Sequence, residues 1–281
     1  MAAFQVSGYT ILVGAGGGIG TELGATFAEA GSRGVLFADI NYEGAVKAAE
    51  SSKKVALAKD YKAVAVKVNV TDPKSVQEMV DVAVKEFGRI DYVVNAAGVD
   101  GRRNVPFDQA DIADFDRVFD INAKSILYVT QSVAKVMKAQ DSAKIELGRH
   151  GVKDLGRGSI VNISSILGIS ALPNKVAYIT SKHAVGGLTR ACAVDYKALG
   201  IRCNQVCPSW VDTPMSHEEY NRIPQLRGLI EQLPAAGRLI APYEVASACL
   251  YLCTPAAYYI NGSTLTLDSC VLVGPAVPAV E

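Results

Sequence analysis

Three side chains in one stretch of the chain have the types and spacing that proton transfer requires. Ser165 closes the run Gly158-Ser-Ile-Val-Asn-Ile-Ser-Ser165, and Tyr178-Ile-Thr-Ser-Lys182 follows after an apolar loop. Residues four apart share a helix face, so Tyr178 and Lys182 point the same way if this segment is helical. A free phenol keeps its proton to a pH of about 10. A nearby ammonium favours phenolate and brings such a group into the range of a working acid or base. A serine hydroxyl beside it can hold the reacting oxygen. Tyr-x-x-x-Lys alone is a common accident of surface helices, so the surrounding elements must carry the assignment.

Those elements are legible. Ile160 to Ile163 is a short β-branched run bounded by Gly158 and Ser164-Ser165, the pattern of a buried strand. From Ala177, apolar residues recur at helical spacing through Ala184, Val185, Leu188, Ala191 and Val194, and Gly200 stands at the stop. Near the N-terminus, Tyr9 to Val13 reads as a strand running into Gly14-Ala-Gly-Gly-Gly18-Ile19-Gly20 and an alanine-rich helix. Such a turn lets backbone amides approach a pyrophosphate at the positive end of a helix.

A second strand, Val35 to Ala38, ends at Asp39, 19 residues beyond Gly20. That is close to the interval of about 20 at which a carboxylate meets the adenosine ribose. Its charge would repel a 2′-phosphate, the glycine loop carries no Arg or Lys, and Arg33 belongs at the strand's far end. The cofactor expected is therefore NAD rather than NADP. The competing reading makes Asp39 the cap of the next helix.

Strands and helices continue to alternate. Ala63 to Val68 leads to Asn69-Val70-Thr-Asp72, Pro73 sits at a helix N1 position, and Tyr92 to Val94 ends in Asn95-Ala96-Ala97-Gly98. The expected architecture is α/β, a single-domain doubly wound parallel sheet (Rossmann-like) over residues 1–281. Gly14, Asp39, Asn69, Asn95 and Ser165 all fall at the carboxyl ends of strands, where such sheets bind ligands. A long helix is expected from about Asp111 to Met137, with Asn122 inside it. Asn122 is either a satisfied core amide or a holder of water at the site.

Composition narrows the class. The 281 residues carry 28 basic and 28 acidic side chains, so neither nucleic acid nor an anionic membrane is an expected partner. No apolar run reaches the length of about 18 residues needed to span a bilayer, and no basic-then-apolar leader opens the chain. All six cysteines lie between Cys192 and Cys270 without a Cys-x-x-Cys pair, and there are three histidines. The expectation is a cytoplasmic protein with small buried thiols and no structural metal.

Taken together, Gly-x-x-x-Gly-Ile-Gly, Asn-x-Ala-Gly and Tyr-x-x-x-Lys with Ser165 upstream resemble the short-chain dehydrogenase/reductase family from about Tyr9 to Asp268. Ser165 lies 13 residues before Tyr178, the family's interval, and so resembles its catalytic serine, with Tyr178 as acid/base. The resemblance implies that Lys182 lowers the tyrosine's pKa and holds the nicotinamide ribose, and that Asn122 anchors a water leading to Lys182. It places Asn95 to Gly98 beside the adenosine half, and Pro208, Val211 and Thr213 beside the carboxamide. Val13, Asn69, Ala96, Ser209 and Asp268-Ser-Cys270 depart from the family pattern without removing a catalytic group. A homotetramer or homodimer is implied.

Two segments exceed the family core. The polar insertion at about 138–157 joins the catalytic strand at the end away from the site, and His150 within it reads as solvated. Residues 210–238, with Met215, Tyr220, Ile223, Leu226, Leu229, Ile230 and Leu233, are either a helical substrate lid or an amphipathic helix pair on the body. His217 in this segment reads as exposed. With Ile166, Leu167, Ile169 and Leu172 beside Ser165, the apolar lid suggests a small-molecule partner that is bulky and lipophilic, a steroid-like or terpenoid secondary alcohol. Two further readings are a ketone reductase of a polyketide or other specialised metabolite, and a non-catalytic dinucleotide-sensing protein on the same fold.

Overall fold

The computed structural model describes residues 2–274. In chain order its elements are β1 (Tyr9–Val13), α1 (Gly18–Glu29), β2 (Gly34–Asp39), α2 (Tyr42–Lys53), β3 (Lys62–Lys67), α3 (Pro73–Phe87) and β4 (Tyr92–Asn95). Then come α4 (Ile112–Phe119), α5 (Ser125–Ala139), the short strands β5 (Lys144–Glu146) and β6 (Val152–Asp154), and β7 (Gly158–Ile163). The chain closes with α6 (Val176–Tyr196), β8 (Ile201–Pro208), α7 (Pro214–Arg222), α8 (Pro224–Gln232), α9 (Pro242–Cys253) and β9 (Thr264–Leu267).

Seven strands form one parallel sheet in the order β3-β2-β1-β4-β7-β8-β9. Every crossover carries helix, and the helices divide between two faces. Leu23 and Phe27 of α1, Ala45 and Ala49 of α2, and Val245 and Leu252 of α9 pack on one face. Met79 and Phe87 of α3, Val129 and Met137 of α5, and Cys192 of α6 cover the other. Burial on both faces explains why Ile11 to Val13, Val35 to Ala38 and Ile160 to Val161 are continuous apolar runs with no polar alternation. The strand order reverses direction between β1 and β4, and the crevice for a ligand opens there, at the strands' carboxyl ends.

Local signals set the helix ends. The Asp72 side chain accepts from Lys74 N at 3.0 Å, Pro73 opens α3, and Gly88 ends it at φ +76°. The long helix expected over 111–137 is not uniform. It is α4 and α5 joined by a π turn, Asp120–Lys124, which contains Asn122. The 138–157 segment contains an antiparallel hairpin, β5 with β6, which the polar sequence did not announce. Five cysteines are buried thiols and Cys270 is exposed. Among the described residues no helix is long and apolar enough to cross a membrane.

Candidate active site

The nucleotide half of the crevice starts where β1 ends. Gly14 turns the chain at φ +85°, and a side chain there would enter the backbone of Ala96 and Ala97. A side chain on Gly20 would meet the Gly14 carbonyl, so helix α1 approaches the strand end only as glycine. Gly17 precedes α1 and offers no side-chain cap; Gly20 N donates to Gly17 O, and the helix start borders a cleft lined by Gly16, Gly17, Gly18 and Ile19. A helix start of this kind suits a phosphate.

Asp39 lines the same cleft. Its Oδ2 accepts from Gly16 N at 2.7 Å and its Oδ1 from Asn41 N at 2.8 Å, so the carboxylate braces the glycine loop. Helix α2 is capped by Asn41, whose side chain accepts from Gly44 N, and not by Asp39. Among the described residues lining the cleft, the only cations are Lys175 and Lys182, both in its catalytic half. Asn69, Val70, Ala96, Ala97 and Gly98 also line it, as do Pro208, Val211 and Thr213 on the wall facing Gly18. Ser209 stands where the family resemblance implies glycine; its Oγ is buried without a hydrogen-bond partner.

Two expected positions turn their side chains to internal contacts. Asn95 does not line the cleft. It is 3% exposed, and its Nδ2 donates to Asn162 Oδ1 at 2.8 Å, while Asn162 donates onward to Thr189 Oγ1 at 2.9 Å. Asn95 pairs in register with Asn162 on β7, so its carboxamide ties β4 to β7 beneath the site. Asn122 is likewise fully buried. Its Oδ1 accepts from Val99 N, and its Nδ2 donates to Val99 O and Ser181 Oγ. With both amide hydrogens used, the side chain positions the loop after β4.

In the catalytic half, Ser164 and Ser165 separate cleanly. Ser164 Oγ donates to Lys182 O at 2.9 Å and locks α6 to the strand end. Ser165 lies beside the Tyr178 phenol and accepts from Leu167 N at 3.1 Å. Lys182 Nζ donates to Ile163 O at 3.0 Å and lies 5.6 Å from the centre of the Tyr178 ring. Gly98 lies against both this ammonium and Asn122 Oδ1. Burial pushes the Tyr178 phenol up, and Asp100 and Glu219 push it further, against the Ser165 hydroxyl beside it. Burial lowers Lys182 to about 8. The sequence leads one to expect the ammonium to lower the phenol; here desolvation dominates both groups, and each favours its neutral form.

The cleft encloses about 590 Å³. Ile121, Ile166, Leu167, Trp210 and Met215 supply apolar wall. Ile169 and Leu172, expected there, lie outside it and are 43% and 37% exposed. Residues 210–238 fold into α7 and α8, of which Met215, Ser216 and Glu219 reach the cleft. The side chains of Leu226 and Leu229 lie outside the described residues. His217 pairs with Asp212 at 2.6 Å, away from the cleft. The sequence reading missed a charged cluster in the wall. Lys175 Nζ is 2.7 Å from Asp100 Oδ2 and 2.6 Å from Glu219 Oε1. No motif announces it, because its members come from three segments that meet only in the fold.

A phenol, a hydroxyl and an ammonium beside a glycine-lined helix start can move a proton at a carbon that exchanges hydride with a nucleotide. The comparisons agree. A family model described as enoyl-(acyl carrier protein) reductase matches residues 14–270. The short-chain dehydrogenase anuF of Penicillium roqueforti is 38% identical over 267 residues, covering 95% of this chain and 96% of that protein. D-threitol dehydrogenase of Mycolicibacterium smegmatis is 33% identical, over 94% of this chain and 93% of that protein. A solved 7α-hydroxysteroid dehydrogenase, complexed with NADH and 7-oxoglycochenodeoxycholic acid, superposes with a TM-score of 0.81. It is 29% identical, over 95% of this chain and 96% of that one.

Proposed function

Because the chain belongs to the short-chain dehydrogenase/reductase family, we propose that it is an NAD(H)-dependent oxidoreductase interconverting a secondary alcohol and a ketone on a bulky lipophilic substrate. The observation that carries this reading is the packing of Tyr178 between Ser165 and Lys182 at the floor of a cleft whose other half is glycine-lined. When bound, the nicotinamide supplies or accepts the hydride. Gly14, Gly18, Ile19 and Gly20 would cradle its phosphates, and Asp39 would receive the adenosine ribose. The Asp39 carboxylate and the lack of cations around it among the described residues support NAD over NADP.

Tyr178 exchanges a proton with the substrate oxygen as the carbon gains or loses hydride. Ser165 steadies that oxygen with a hydrogen bond. Lys182 holds the nicotinamide ribose and polarises the phenol, while Asn122 fixes the Val99 loop beneath it. Apolar Ile166, Leu167, Trp210 and Met215 support a lipophilic substrate, with α7 and α8 as its lid. The outer ends of α5 and α6 support a homodimer or homotetramer, which light scattering would test.

A second reading, reduction of a ketone on a polyketide or other specialised metabolite, draws on one specific observation. Asp100 and Glu219 favour the protonated phenol, which is the form that donates to a carbonyl. Following nicotinamide absorbance at about 340 nm with NAD⁺, NADP⁺ and their reduced forms against paired secondary alcohols and ketones tests both readings. Preference for NADP(H), or turnover confined to small polar alcohols, would overturn the corresponding part.

A further inference from the structure

The Asp100–Lys175–Glu219 cluster neither gives nor takes the proton in the transfer described above, and its carboxylates act on the phenol only by their charge, yet it forms part of the cleft wall. Lys175 precedes α6, Asp100 follows β4 and Glu219 lies on α7. Their side chains are 8%, 11% and 9% exposed, and Lys175 Nζ is 5.9 Å from the centre of the Tyr178 ring. Charges withdrawn this far from water are costly, and an apolar trio of similar volume would pack at least as well. Fastening α7 to the body does not require them. Arg222 does so as well from the outer side, donating to Gly101 O and Arg102 O at 3.0 Å each and lying 3.6 Å from Asp100 Oδ2, so Asp100 is matched from both sides while Glu219 faces Lys175 alone.

The cluster also leaves hydrogen-bonding capacity open. An ammonium has three donors, and two carboxylates face this one. Glu219 Oε1 is buried and, although 2.6 Å from Lys175 Nζ, accepts no aligned hydrogen bond. Lys175 would repel a cationic ligand group, and the two carboxylates would repel an anionic one. A neutral group that both donates and accepts matches the set, donating to Glu219 and accepting from Lys175.

Resting on the hydride-transfer reading of this cleft, we propose that Asp100, Lys175 and Glu219 form a recognition subsite for a second hydroxyl, alcoholic or phenolic, carried by the substrate within about one ring's width of the reacting carbon. The substrate class is thereby a hydroxylated apolar molecule rather than a plain lipophilic alcohol. Asp100 orients Lys175, and Lys175 with Glu219 contacts the hydroxyl.

The test compares 1-tetralol with its ring-hydroxylated isomers, using wild-type protein, Glu219→Gln and Lys175→Met. Binding is read by quenching of Trp210, the chain's single tryptophan, which lines the cleft, and turnover by kcat/KM with NAD⁺. For at least one isomer, wild type should favour the hydroxylated compound tenfold or more, and the ratio should fall to about one in both variants. Absence of preference in wild type, including failure to bind either compound, overturns the subsite; so does a ratio that both variants retain. Equal proportional losses on both compounds would show a structural tie instead. Discrimination in binding without hydride transfer would sink the proposed function while leaving the subsite standing.

Discussion

Lys182 Nζ sits 5.6 Å from the centre of the Tyr178 ring, Lys182 is buried and Tyr178 half-buried, and desolvation drives their proton affinities apart, the phenol's up and the ammonium's down. The phenol is held protonated and the ammonium loses its proton more readily than in water. A phenol that keeps its proton through the neutral range is a ready donor. Carbonyl reduction is therefore expected to be flat across neutral pH, whereas alcohol oxidation should rise with pH. Initial rates in both directions across a buffer series measure this; an oxidation rate independent of pH would contradict it.

Lys182 also has a consequence for stability. Its folded pKa of about 8 lies below the ordinary 10.5. The linked stability is thus present above the unfolded value and lost as pH falls through about 8, so at neutral pH the buried ammonium is a burden. By the free energy of a pKa difference this is on the order of 3 kcal/mol. Lys182→Met should raise the neutral-pH Tm by several degrees while cutting turnover by roughly a hundredfold or more. A fall in Tm in differential scanning calorimetry would refute the assignment.

Asp39 decides cofactor choice in this account. Removing its charge with Asp39→Ser should raise kcat/KM for NADP(H) relative to NAD(H) by about tenfold, the scale of one lost like-charge repulsion near a surface. Because Asp39 also braces Gly16 N and Asn41 N, affinity for both nucleotides should drop. Steady-state kinetics with the two cofactors measures both effects, and an unchanged ratio counts against the NAD assignment.

Asn95 belongs to the sheet. Asn95→Ala would leave Asn162 Oδ1 without its buried donor, at a cost of roughly 1–3 kcal/mol. Denaturant titration should show that loss, with nucleotide affinity within about twofold of wild type. A large loss of nucleotide affinity at unchanged stability would return Asn95 to the cofactor site.

Much of this arrangement was legible because its signals are local. The glycine loop, the Asp72-Pro73 helix start, and the Tyr178–Lys182 spacing each depend on a few adjacent residues. The rest depended on contacts distant in sequence. Asn95 reads as a strand-end ligand until register sets it against Asn162. Asn122 reads as an awkward helical amide until the π turn directs it at Val99. Lys175 meets Asp100 from 75 residues away, and only the seating of α7 adds Glu219. Desolvation was equally hidden, since the order of residues does not disclose how far Tyr178 lies from water.

Tyr178 is proposed to exchange the substrate proton during hydride transfer. The most direct measurement is single-turnover absorbance at about 340 nm for wild type and Tyr178→Phe at saturating nucleotide, with nucleotide affinity determined separately. The expected rate is lower by a factor of about 10² to 10⁴ in the variant, the usual weight of a general acid–base group, with nucleotide still bound. Hydride transfer at the wild-type rate in Tyr178→Phe would contradict it.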